Sequence, residues 1–170
     1  MKRIIPIIAL AVIVAAMLFV FGTTAPPEPR DYVQTETFAN FSNIFFDYEI
    51  FRYPSNVQIR DINDPSGNVT WGVVTDPWNI NFGVIPGNGT VVQRNMVLTN
   101  KKDSDSLISL KAYGNISDKI TFSKNDFVLK TGENQSIDIF FSSNMTEYGN
   151  YTGEIDIVVK KAIYNFLPID

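Results

Sequence analysis

The side chains best placed to do chemistry in this chain are carboxylates, because the sequence contains no His and no Cys. Without His, the commonest general base and the commonest metal ligand are both missing. Without Cys, neither a disulfide framework nor a thiolate metal site can form. Ser/His/Asp and Cys/His catalysis are therefore excluded, and any reaction would rest on carboxylates, Lys or Tyr. Asp103 with Asp105, or Glu147 with Glu154, could in principle supply the acid and base of glycoside hydrolysis. No spacing in the sequence sets either pair across a cleft, and loop carboxylates are usually solvated. Asp61, Asn63 and Asp64 cluster like calcium ligands. The EF-hand register fails, since its sixth position is Ser66 rather than Gly and its twelfth is Gly72 rather than Glu. The expectation is no catalytic residue, no metal, no cofactor and no enzyme.

The densest motif is the N-x-[ST] sequon, at Asn40, Asn68, Asn88, Asn115, Asn134, Asn144 and Asn150. The chain has 16 Asn and 23 Ser plus Thr, for which chance gives about two sequons. Several fall in expected loops or strand ends, where a glycan is tolerated. These seven are candidate N-glycosylation sites, and they point to an extracellular surface.

Such a surface must be delivered across a membrane, and the N-terminus has the means. Ile4–Phe21 carries no charge, follows Lys2 and Arg3, and precedes Glu28 and Asp31. At 1.5 Å per residue its length approaches the hydrocarbon thickness of a bilayer. Pro6 sits in the first turn, where its missing N–H costs little. The charge asymmetry places the N-terminus in the cytoplasm and the remainder outside. Residues 1–24 are therefore read as a signal-anchor transmembrane helix. The rival reading is a secretory peptide cleaved at Thr23-Thr24-Ala25, which Pro26 and the length of the apolar run disfavour. The net charge is −4, and setting aside Lys2 and Arg3 leaves 12 basic and 18 acidic residues. An acidic surface with no basic stripe argues against nucleic acid.

Residues 25–31, APPEPRD, form a Pro-rich linker expected to act as an extended spacer. Residues 32–69 are an aromatic-rich β extension, with Phe46, Tyr48 and Ile50 alternating against Asp47 and Glu49. Its aromatics suit ordinary core, or else a recognition surface or membrane-interface belt. Residues 70–161 show about seven strands at 8–12 residue spacing. Val69–Val74 includes Trp71 as a core anchor, and Trp78, Ile80 and Phe82 share an apolar face. Gly83 is expected to end that strand, and Pro86-Gly87 fits a type II turn, with Gly87 supplying the positive φ. Val92, Met96 and Leu98 line one side of the next strand, with Arg94 at an edge or snorkelling. Ile108, Leu110 and Ala112 follow, then two short strands about Ser123–Asp126. Ile137, Ile139 and Phe141 precede a last strand holding Tyr151, Ile155, Ile157 and Val159. Residues 162–170 are a tail that either extends this strand against residues 32–60 or serves for interaction.

The segment INFGVIPGNGTVVQRNMVLTNKKDSDSLISLKAY, residues 80–113, resembles the opening of the ASH/major-sperm-protein-like group of Ig-like domains. The elements in common are Phe82-Gly83, Pro86-Gly87, Leu98-Thr99-Asn100 and the strand Leu107–Leu110, followed by Thr131-Gly132 and Gly149–Gly153. The resemblance covers about 90 residues. It implies a binding or scaffolding module with no shared catalytic site, so no functional residue is carried over. Sequons, acidity and lack of Cys together resemble Asn-glycosylated archaeal cell-surface proteins.

The expectation is thus an all-β, Ig-like antiparallel β-sandwich of about seven strands on a single N-terminal transmembrane helix. It would serve cell-envelope architecture or adhesion through a protein partner, held to the membrane by residues 4–21, or be secreted if the leader is cleaved. The alternative is an accessory subunit of a secretion, pilus or archaellum machine. A carbohydrate-binding module, stacking Trp71, Trp78 or Tyr113 on sugar, ranks below both.

Overall fold

The computed structural model describes residues 4–29, 31–61, 63, 78–143, 148–164 and 166–169. A helix α1, Ile4–Thr23, is followed by nine strands: β1 Thr37–Ser42, β2 Phe46–Arg60, β3 Ile80–Pro86, β4 Val91–Thr99, β5 Ser106–Gly114, β6 Ile120–Phe122, β7 Phe127–Leu129, β8 Asn134–Ser142 and β9 Gly149–Ala162. The larger sheet runs β1-β2-β9-β5-β7, with β3 also on β2, and the smaller runs β4-β8-β6. Apart from the 3-10 turn Ser117–Lys119, the described elements after α1 are strands, and the sheets are antiparallel apart from one pair, since β3 lies parallel to β2.

The sheets pack face to face because their strands alternate. Ile139 and Phe141 of β8 and Val92 of β4 meet Val57, Ile59, Ile80, Phe82 and Ile155 of the larger sheet, and Ile137 of β8 meets Ile108, Leu110, Leu129 and Ile157 of it. Phe82 and Phe141 join the layers, with ring centroids 5.5 Å apart. β6 belongs to one sheet and β7 to the other, so Ser123–Asp126 is a crossing between layers. Asn125 finishes that crossing by pairing through its side chain with the Leu110 N–H (2.6 Å) and C=O (3.0 Å), as a neighbouring strand would.

The segment expected as an extension is integral to the larger sheet. β2 pairs antiparallel with β9 from Phe46↔Ala162 to Ile59↔Gly149. Its other edge is shared, with β1 covering residues 47–52 and β3 covering residues 55–60. The alternation read from Phe46, Tyr48 and Ile50 identifies the outer face. Phe51, Tyr53, Val57 and Ile59 occupy the inner one. β2 is covered on both faces, which explains why apolar residues run through it without a clean period.

Three further expectations are corrected. Trp78 is 64% exposed and lies before β3, whose inward residues begin at Ile80. The positive φ in the 87–89 turn belongs to Gly89, at 79°. Gly87 is required for another reason, because a side chain there would run into the Tyr148 ring. β3 does not end at Gly83. It continues through a bulge opposite Asn56–Gln58, where Gly83 takes a φ of 77°. The strand expected at Val69–Val74, with Trp71, lies outside the described residues.

Candidate functional site: an acid pair beneath a folded-back strap

β9 carries an acid–Ile–acid–Ile pattern, Glu154-Ile155-Asp156-Ile157. The isoleucines point into the sandwich, so period-2 geometry sends both carboxylates to the outer face. That face would ordinarily be solvated, yet Glu154 is 0% and Asp156 4% exposed. The cover comes from the chain between α1 and β1. Pro27, Glu28 and Pro29 lie over Arg52, Ile50 and Asp156, enclosing a cleft of about 260 Å³. The expected spacer is therefore a strap folded back onto the sheet.

Register fixes the neighbours. Arg52 of β2 and Lys111 of β5 flank Asp156, while Pro54 and Tyr113 flank Glu154. The Arg52 guanidinium donates to Glu154 Oε1 from Nη2 (2.7 Å) and Nε (3.0 Å). The other carboxylate oxygen, Oε2, accepts the Val33 N–H of the strap at 2.8 Å. Glu154 thus satisfies an arginine and latches the strap with the same carboxylate. Asp156 is less well served. Its Oδ1 stands 3.8 Å from Arg52 Nε and has no hydrogen-bond partner among the described residues. Burial and the adjacent Glu154 charge push its pKa up to about 7, against the opposing pull of Arg52. Tyr113 is pushed up to about 12, by burial first and then by the Asp156, Glu28 and Glu154 charges. A carboxyl that titrates near neutrality can take or give a proton. Through Glu154 the arrangement holds the strap in place.

A second recess opens between the layers where β4 diverges from β2. Phe51, Tyr53, Leu98, Ile108, Leu129, Ile157 and Val159 line about 320 Å³ of mainly apolar space. The Ser106 hydroxyl in its wall is buried without a hydrogen-bond partner among the described residues. The Lys102–Glu49 ion pair, at 2.6 Å, stands at its rim. Asn100 shapes the loop beside it, donating to Ser104 O (3.0 Å) and Leu129 O (2.8 Å).

Of the carboxylate pairs singled out from the sequence, Asp103 and Asp105 are engaged with different partners. Asp103 accepts from Lys161 at 3.0 Å, which holds its carboxyl below the usual range. Asp105 accepts the Thr131 N–H at 3.0 Å. Glu147 and Asp64 lie outside the described residues, and Asp61 closes an Asx turn onto the Asn63 N–H at 2.9 Å. No group of three or more potential metal ligands occurs among the described residues. Trp78 borders a shallow depression with Thr35, Glu36 and Asn79, while Tyr113 is half-buried on the outer face. Of the sequons, Asn40, Asn88, Asn115, Asn134 and Asn150 are exposed. Asn68 and Asn144 fall outside the described residues. Sequence reasoning missed Arg52 and Asp156. The available signal was a lone Arg between aromatics, Phe51-Arg52-Tyr53, and two acids alternating with Ile on a strand that is central rather than at an edge.

Among the described residues no helix is long and apolar enough to cross a membrane. The side chains of α1 are described over 8–20 and 22–23 only, a shorter stretch than a crossing needs. In comparison with known proteins, no family model and no curated protein matches this chain.

Proposed function

We propose that the protein is a membrane-anchored, extracytoplasmic, Ig-like β-sandwich that acts as a binding or structural module of the cell envelope through protein–protein contacts. The observation that carries this reading is the surface of α1. Ile8, Leu10, Val12, Ile13, Val14 and Met17 through Val20 are each about half or more exposed. They point in every direction around the helix. A helix apolar on all sides needs an apolar surround. The charge-free run Ile4–Phe21 behind Lys2 and Arg3 supplies the length and orientation of a span. The ASH/major-sperm-protein-like resemblance and the surface sequons agree with a contact module outside the cytoplasm.

Contacts have a natural place at β4, which pairs with β8 alone among the described strands and exposes Val91 and Val97. An edge of this kind can accept a strand from a partner. The folded-back strap favours a second reading, an accessory subunit of a larger membrane assembly, because it sets the domain in a fixed pose on its anchor.

Two experiments test the proposal. Native membranes are washed with alkaline carbonate; retention is expected, and release would defeat the anchor. Cross-linking in the same membranes, followed by purification and mass spectrometry, separates the two readings. One partner at fixed ratio identifies an assembly, whereas links to itself or to abundant envelope protein identify an architectural role.

A further inference from the structure

We propose that the β1–β2 hairpin tip and the C-terminal tail form a lipid-contacting foot that seats this end of the sandwich in the bilayer interface. The inference deepens the anchor reading and rests on it.

The hairpin tip lies directly against the end of α1. A side chain at Gly22 would collide with the Phe45 ring, and Asn43 Nδ2 donates to the Thr24 carbonyl at 2.9 Å. The helix end is finished locally, with Thr23 Oγ1 donating to Phe19 O at 2.8 Å and Thr24 Oγ1 to Val20 O at 3.0 Å. The tip is itself well ordered by hydrogen bonds. Asn43 Oδ1 accepts the N–H groups of Phe45 (2.9 Å) and Phe46 (2.8 Å), and this turn presents Ile44 to the outside.

The C-terminal tail joins the same end. β9 pairs with β2 up to Ala162↔Phe46, and the Ile163 N–H then donates to Phe45 O at 2.9 Å. Beyond this the chain turns, with the Leu167 N–H on Tyr164 O at 3.0 Å. Tyr164 and Phe166 stack at 5.6 Å between centroids, and Phe166 is 80% exposed. Lys160 sets its ammonium 3.9 Å from the centre of the Phe46 ring.

Ile44, Ile163, Tyr164 and Phe166 are thus exposed apolar side chains beside the last turn of an exposed apolar helix. The occupant follows from that continuity. A bilayer that surrounds α1 up to its C-terminal turn reaches the hairpin tip without a gap. Aromatic rings with a nearby Lys suit the boundary between headgroups and acyl chains. The patch supplements the span, as shallow interfacial side chains do.

The absence of Cys makes the test direct. Single substitutions Val14→Cys, Ile44→Cys, Phe166→Cys and Thr121→Cys in the full chain carry a nitroxide label in phosphatidylcholine nanodiscs. Power saturation with oxygen and with a water-soluble nickel chelate then reports depth. The expected result is a deep label at 14, headgroup-level labels at 44 and 166, and a fully aqueous label at 121. A deep label at 14 with 44 and 166 as aqueous as 121 overturns the foot and leaves the anchor standing. An aqueous label at 14 overturns both. Spin–spin broadening at 166 would place a second copy against the patch and likewise overturn lipid contact.

Discussion

Glu154 holds two structures together through one carboxylate, and its loss should show in both. Glu154→Ala leaves the Arg52 guanidinium partly buried without the oxygen that accepts from both its Nε and Nη2, and the Val33 N–H without an acceptor. Breaking a buried ion pair from one side costs about 3–5 kcal/mol, so the urea midpoint should fall by a corresponding amount. An unchanged midpoint would show that water replaces the carboxylate at no cost. Asp156 acts with a sign of its own. Its folded pKa, about 7, lies above the ordinary Asp value of 3.8, so between those values the folded state holds a proton that the unfolded chain has released. Its contribution to stability is complete below the unfolded value and is lost as pH rises through about 7. The groups facing it are Glu154, Arg52, Lys111, Tyr113 and, from the strap, Glu28. Unfolding free energy should therefore decline from pH 5 to pH 8. Asp156→Asn, which cannot ionise, should flatten that decline. Equal slopes in the two proteins would rule out Asp156 as its source.

At the scale of elements, legibility followed how many faces of a strand are covered. β4 and β8 are covered on one face, and Val92, Met96, Ile137, Ile139 and Phe141 stood at period 2 as expected from the sequence. The short strands about Ser123–Asp126 also fell where the sequence placed them. β2 and β9 are covered on both faces, so their chemistry misled. Tyr48 and Ile50 lie on the outer face of β2, and nothing local in the sequence announced the strap that buries the acids of β9. The pairing of β3 parallel to β2 depends on residues far apart in sequence and left no local mark. Two substitutions test the packing inferred here. Phe141, buried against Phe82 between the sheets, should cost about 3–5 kcal/mol as Phe141→Ala. Gly153 lies opposite Gly114 in the β5–β9 ladder, where an added Cβ would strike the Tyr113 carbonyl and the Ile116 side chain. Gly153→Ala should therefore destabilise by about 1–3 kcal/mol, the usual range for overpacking, although alanine is ordinarily the better strand residue. A neutral result in calorimetry would mean that the two strands can separate there without loss.

For the whole molecule, the strap limits how the sandwich can move relative to α1. A free linker of 25–31 would let the sandwich pivot about the end of α1. A linker fastened at Val33–Glu154, packed across Arg52 and Asp156, and tied to the helix end by Asn43–Thr24 permits much less. The pose then depends on the acid pair, which links the residue scale to the molecular one. Nitroxide labels at Ala25→Cys and Val128→Cys report that pose as a distance distribution in the full chain. The distribution should be narrow in the otherwise unaltered protein. It should broaden in Glu154→Ala under conditions where circular dichroism shows the sheets intact, because the strap loses its latch while the sandwich keeps its core. A broad distribution in both would mean that the strap lies on the sheet without restraining it. The accessory-subunit reading, which needs a fixed pose, would then lose its support, while the β4 edge could still reach a partner from a pivoting domain.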